Sequence, residues 1–179
     1  MHVNTRKMAV SGLLMAFAVV LIILSGILDF NTLFFLAAAA FLIGVILREF
    51  DLRYGLAFFL GCLILGGLLA PQKLYCITYA MMGIYVLGVE FLWHFLGDHP
   101  GWKNRRLLLI LGKLIIFNLM YLPALFLFPK LLFAGEISGI LLLVFAAGGQ
   151  VALFLFDQAY DYFLIRLWEQ VREKLFGRR

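Results

Sequence analysis

Apolar positions along this chain gather into six long blocks, at 8–28, 32–48, 54–70, 74–97, 107–129 and 137–165, with short polar stretches between them. A hydrocarbon core about 30 Å thick is crossed by roughly 17–25 helical residues. All six blocks therefore predict membrane-spanning helices, and the fold class they predict is all-α, a polytopic bundle of six transmembrane helices. The second and third blocks are short, so their helices are expected to stand nearly upright or to be shielded by neighbours. Little sequence is left for a soluble region, and a single transmembrane helical domain over 1–179 is expected. The last block grades into a tail, 160–176, in which Tyr160, Leu164, Leu167, Val171 and Leu175 recur at intervals of three or four, with Trp168 beside them. Asp161, Arg166, Glu169, Arg172, Glu173 and Lys174 fill much of the remainder, which makes the tail amphipathic. Two uses fit it: lying along the inner leaflet with Trp168 at headgroup level, or offering its apolar stripe to a partner helix.

Charge orients the bundle. Arg6 and Lys7 precede the first block, and Arg48 and Arg53 flank the second gap. Lys103, Arg105 and Arg106 fill the fourth gap, and Arg166, Arg172, Lys174, Arg178 and Arg179 belong to the tail. These are twelve of the fifteen cationic residues; Lys73 and Lys130 fall in the opposite gaps, and Lys113 lies inside a block. The positive-inside rule places the twelve, and with them both termini, in the cytoplasm of a cell membrane. The net charge of +5 then expresses topology and attraction to anionic lipid. No basic segment is independent of a membrane edge, so a nucleic-acid partner is not expected. The outer connections are short: Asp29 to Asn31, Ala70 to Lys73, and Phe128 to Glu136. Pro71 and Pro129 stop helices there, and no room remains for an outer catalytic domain. The first block, with Asp29 and Asn31 after it and no small-residue cleavage pattern, is expected to be an uncleaved helix. Cys62 and Cys76 lie in or beside apolar blocks and are expected to be small apolar filler rather than a disulfide or metal ligands.

Within lipid, small residues four apart allow close helix approach; Gly12/Ala16, Ala40/Gly44 and Ala57/Gly61 supply that spacing. Gly148 and Gly149 mark a point of close packing or of bending. Ionisable side chains inside a span need pairing or hydration. Glu90, Lys113 and Asp157 each lie about eight residues from an inner helix end, roughly 12 Å deep, which predicts one buried charge cluster with Glu90 and Lys113 as its sequential pair. It serves either to orient helices or to hold a proton, ligand or partner. Asn118 and Gln150 lie deeper and either bridge two helices or line a pocket. Gln72, Lys73, Tyr75, Thr78 and Tyr79, with Asp29, Phe30 and Asn31 nearby, form either an outer small-molecule site or an interfacial aromatic belt. His94, Asp98 and His99 meet a turn at Pro100 and Gly101 without a second ligand set, so no metal and no cofactor is expected. No phosphate loop, nucleophile elbow or zincin motif is present, and no catalytic residue is assigned.

Six short-looped helices, a basic start running into a small-residue first helix (TRKMAVSGLLMAFAVVL), and cytoplasmic ends resemble the substrate-binding S components of energy-coupling factor transporters and related bacterial six-helix membrane proteins. The stretches LLAPQKLYCITYAMMGIYVLGVEFL and VALFLFDQAYDYFLIRL are similar to bacterial membrane proteins of this size. The likeness covers nearly the whole chain, but the binding-loop signatures of the vitamin-specific members are missing. It implies a non-enzymatic subunit that binds a small molecule outside the membrane and works with a transmembrane coupling subunit and ATPase subunits. Gly12 and Ala16 would face the coupling subunit. Gln72, Lys73, Tyr75, Tyr79, Asn118 and Gln150 are the candidate substrate contacts. Two alternatives stand beside it: a membrane scaffold that recruits a cytoplasmic partner through its C-terminal helix, and an intramembrane enzyme acting on lipid through Glu90 and Asp157.

Overall fold

The computed structural model describes residues 5–28, 31–98, 104–127 and 139–176, and the side chains of 8–28, 31–97, 104–126 and 139–172. Every regular element among them is helical. In chain order these are α1 (Thr5–Ser25), α2 (Thr32–Glu49), α3 (Leu52–Leu69), α4 (Lys73–Asp98), α5 (Arg105–Leu127) and α6 (Gly139–Tyr162); a π-helical turn, Phe163–Trp168, then leads into α7 (Glu169–Phe176). Among the described residues six helices are long and apolar enough to cross a membrane, as the six blocks predict. The largest differences in the first four are at the two ends of α1, expected at 8 and 28 and found at Thr5 and Ser25. There the Ser25 hydroxyl turns back to donate to the Ile22 carbonyl at 2.7 Å, and Thr32 Oγ1 donates to the Ser25 carbonyl at 3.1 Å. These two bonds close the turn into α2. The expected limits at 129 and 137, along with Asp29, Phe30, His99, Pro100, Gly101, Lys103, Pro129 and Lys130, lie outside the described residues.

The chain divides into two compact units, Met1–Phe91 and Leu92–Arg179. In the first, α1, α2 and α3 pack on one another, and α2 forms the core. Every residue from Ala39 to Leu47 is buried, as suits a helix that is apolar on all faces and enclosed by neighbours. Close approach depends on missing side chains. A Cβ at Gly61 would come within 2.9 Å of Met15 on α1, one at Gly66 within 3.1 Å of Ile22, and one at Gly83 within 2.5 Å of Phe59. Ala40 and Gly44 are both in this core, whereas Ala57 is exposed and only Gly61 of that pair is covered. The α2–α3 link is Phe50 and Asp51; the Phe50 amide donates to the Ile46 carbonyl at 3.0 Å and the Gly55 amide to the Asp51 carbonyl at 3.1 Å. Cys62 and Cys76 are buried free thiols.

In the second unit α5 and α6 form a helical pair. Most of their apolar side chains, among them Leu119, Ile140 and Leu143, are exposed; against acyl chains this carries no penalty, since lipid is as apolar as leucine. Pro123 sits inside α5. It removes one amide donor, yet the helix continues to Leu127, a tolerance common in spanning helices. Gly148 and Gly149 cause no break, because α6 runs through them. Gly149 is a packing point, where a Cβ would meet the Tyr121 ring at 2.4 Å, while Gly148 has open space.

Candidate functional site

Arg48 occupies the last turn of α2, and its long side chain reaches Glu90 on α4. Nε and Nη2 both donate to Glu90 Oε1, at 3.0 and 2.8 Å. The Glu90 side chain is 1% exposed and that of Arg48 33%, so one carboxylate oxygen takes a two-pronged, charge-assisted contact at the edge of the core. Glu90 thus lies within side-chain reach of the end of α2, and α4 continues eight residues beyond it to Asp98.

The other two charges expected beside Glu90, Lys113 and Asp157, belong to the second unit. Lys113 Nζ on α5 donates to Asp157 Oδ2 on α6 at 2.8 Å and lies 3.7 Å from Asp161 Oδ2. The expected Glu90–Lys113 pair joins residues of different units; within its own unit Glu90 takes Arg48, and Lys113 takes Asp157 and Asp161. The physical reason is reach. An arginine at a helix end can fold back by a full turn, so Glu90 takes its cation from Arg48, a residue that charge counting had assigned to the membrane edge. Asp161, one turn beyond Asp157, belongs by sequence to the polar positions of the amphipathic tail.

Deeper along the same two helices Asn118 and Gln150 bond reciprocally. Asn118 Nδ2 donates to Gln150 Oε1 at 3.3 Å, and Gln150 Nε2 donates to Asn118 Oδ1 at 2.7 Å. Asn118 Nδ2 also donates to the Leu114 carbonyl at 2.8 Å. These two amides bridge helices, the first of their two expected uses. Further along, Tyr121 Oη donates to the Phe145 carbonyl at 2.7 Å, with its ring stacked on Phe117 at 4.9 Å. As the α5 partner steps from Tyr121 to Asn118 to Lys113, the α6 partner steps from Phe145 to Gln150 to Asp157. The helices are therefore antiparallel, and the polar seam between them covers about 12 Å of α5 at 1.5 Å per residue.

The remaining candidates separate. Gln72 and Lys73 are exposed and Tyr75 half-buried at the α3–α4 turn, where Lys73 Nζ donates to the Gly67 carbonyl and the Tyr75 amide to the Gln72 carbonyl at 3.3 Å. Tyr79, one turn further on, is wholly buried; its ring lies 5.9 Å from that of Phe59 and its hydroxyl lies beside the Cys62 thiol. Tyr79 is therefore a packing residue rather than part of an exposed surface with the other three. Gly12 and Ala16 are exposed on α1, and a Cβ at Gly12 would meet nothing within 4 Å. His94 is exposed with its ring edge-on to Trp93. Among the described residues no three His, Cys, Asp or Glu side chains come together in a metal-holding group.

Comparison with protein-family models, with curated proteins and with solved structures found no match. The functional reading therefore rests on the residues themselves.

Proposed function

We propose that this chain is the substrate-binding membrane subunit of an ATP-driven uptake system, of the S-component kind. The observation that carries the reading is the bare strip on α1. Glycines of α3 are filled by α1 side chains, Gly61 by Met15 and Gly66 by Ile22, but Gly12 has open space and Ala16 is exposed beside it. A strip without side-chain bulk on a spanning helix suits close approach by a helix of another protein. The sequence carries no nucleotide-binding loop, so energy for uptake comes from that partner and its ATPase subunits. Twelve of fifteen cations lie on the side assigned to the cytoplasm, which puts the α3–α4 turn outside, with Gln72, Lys73 and Tyr75 as the capture residues.

The test has two arms. Gly12→Leu/Ala16→Leu fills the strip; it should abolish copurification of a transmembrane partner while the helical content of the isolated chain is unchanged. Copurification at the level of the unmodified chain overturns the docking surface. Native mass spectrometry of the purified chain should also show a small molecule that Gln72→Ala/Tyr75→Ala releases. Partner loss on deleting 167–179, with any small molecule retained, would favour the scaffold alternative.

A further inference from the structure

The polar seam between α5 and α6 sets a register that can be followed to its inner end. Tyr121, Asn118 and Lys113 of α5 meet Phe145, Gln150 and Asp157 of α6. Over that stretch α6 advances by about one and a half residues for each residue of α5, against one for one in an ideal antiparallel pair. The seven residues of α5 from Lys113 back to Arg106 therefore correspond to 164–168 on α6, the interval that holds Arg166. The α5 sequence turns apolar at Leu107, directly after Arg105 and Arg106. From Leu107 to Phe126 the helix crosses roughly 30 Å at 1.5 Å per residue, the thickness of a hydrocarbon core. Arg105, Arg106 and Arg166 thus share one level, at the inner edge of the α5–α6 pair.

All three arginines are exposed. Among the described residues no carboxylate lies within 4.0 Å of any of them. Arg166 lies over the Tyr162 ring, 5.9 Å from its centre, a contact with a ring face and not with a hydrogen-bond acceptor. On the membrane side of this level both helices present exposed apolar side chains: Leu107, Ile110 and Leu111 on α5, Tyr162 and Ile165 on α6. The surface is therefore cationic at the membrane edge and apolar immediately inside it. A soluble anion matches only the cationic half. An amphiphile with an acidic head and hydrocarbon chains matches both.

We propose that Arg105, Arg106 and Arg166 hold the headgroup phosphate of an acidic phospholipid, whose acyl chains run along the exposed apolar side chains of α5 and α6. The guanidinium fork matches phosphate oxygens in pairs. Three cations without a carboxylate of their own favour a lipid of net negative charge over a zwitterionic one. The attraction of a basic membrane edge for anionic lipid is spread over every inner cation, whereas this site concentrates it on two adjoining helices of one unit. The proposal is independent of the uptake reading, since none of these residues belongs to the capture or docking surfaces.

The full-length chain, placed in phosphatidylcholine nanodiscs containing phosphatidylglycerol and phosphatidylethanolamine in equal parts, is released in a native mass spectrometer and its retained lipids are counted. Phosphatidylglycerol should be retained over both others. Arg106→Gln and Arg166→Gln should each lower that retention about tenfold, the effect of losing one hydrogen bond to a charged group. Arg53→Gln, which removes an exposed cation of the other unit, should leave it unchanged. Equal losses from all three variants overturn the proposal, because charge alone then suffices wherever it sits. Equal retention of the three lipids overturns it too, as do folded Arg106 and Arg166 variants that behave like the unmodified chain. If glycerol 3-phosphate raises the Tm of the chain in pure phosphatidylcholine discs and no phosphatidylglycerol is retained, the lipid assignment falls to a soluble phosphate. Should either variant fail to fold, Arg105→Gln takes its place with the same expected loss.

Discussion

Among the described Asp, Glu, Lys and Arg side chains Glu90 is the least exposed, and its dependence on Arg48 is unequal. Arg48→Met removes the guanidinium from a carboxylate that is 1% exposed, whereas Glu90→Gln leaves Arg48 with a third of its side chain able to reach water. Arg48→Met should lower stability by about 3 kcal/mol, the lower end of the range for breaking a buried pair. Glu90→Gln should cost less, and the double variant less than the sum of the two. Thermal unfolding of the four proteins in one detergent checks this; additivity within about 0.5 kcal/mol would mean that the pair is not coupled. The amide bridge behaves similarly on a smaller scale. Asn118→Leu or Gln150→Leu alone should destabilise, and the double Leu variant should recover about 1 kcal/mol of coupling, as interhelical hydrogen bonds in membranes do. Sequence alone pointed to every acid and amide in these contacts except Asp161. It could not assign partners, because pairing depends on which helices adjoin and how far a side chain reaches. Arg48 illustrates this: its place at a helix end says membrane edge, and its reach says Glu90.

For the helices, the spans were legible because a bilayer demands about twenty apolar residues regardless of how they pack. Packing detail was not. Gly148 and Gly149 are identical in sequence terms, yet only Gly149 lies under the Tyr121 ring. Gly149→Ala should therefore cost about 1–3 kcal/mol by overpacking, while Gly148→Ala, in open space, should stabilise by about 0.5–1 kcal/mol through helix propensity. Comparing the two Tm values decides it, and equal shifts would refute the assignment. The tail shows a second limit. A regular helical repeat groups Tyr160 and Leu164 with Leu167 and Val171, but the structure buries Tyr160, Leu164 and Trp168 and exposes Leu167 and Val171. The π-helical turn widens the repeat by about one residue, so the buried positions become four apart throughout. The expected side chain of Leu175 lies outside the described residues. Nothing in the composition of Phe163–Trp168 announces the change of winding.

At the scale of the whole molecule, the charge asymmetry makes a prediction about sidedness. With Cys62 and Cys76 replaced by serine, Gln72→Cys should react with a membrane-impermeant maleimide added to intact cells. Asp51→Cys and Gln170→Cys should react only after lysis. The opposite pattern would invert the bundle and move the proposed capture residues to the inner face. The last helix adds a constraint of length. From Gly139 to Phe176 the backbone is helical for 38 residues, roughly 55 Å at 1.5 Å per residue, nearly twice the hydrocarbon thickness.

The Arg48–Glu90 contact also bears on how the chain is made. A carboxylate in a spanning helix resists insertion by up to about 3 kcal/mol, and α4 carries one in Glu90. Arg48 is synthesised 42 residues earlier, so it has left the ribosome before Glu90 does. When α4 enters the bilayer, α2 can already be seated there with its guanidinium at the level Glu90 will take. The order of residues along the chain thus doubles as an order of assembly, in which an early helix prepares the berth for a later one.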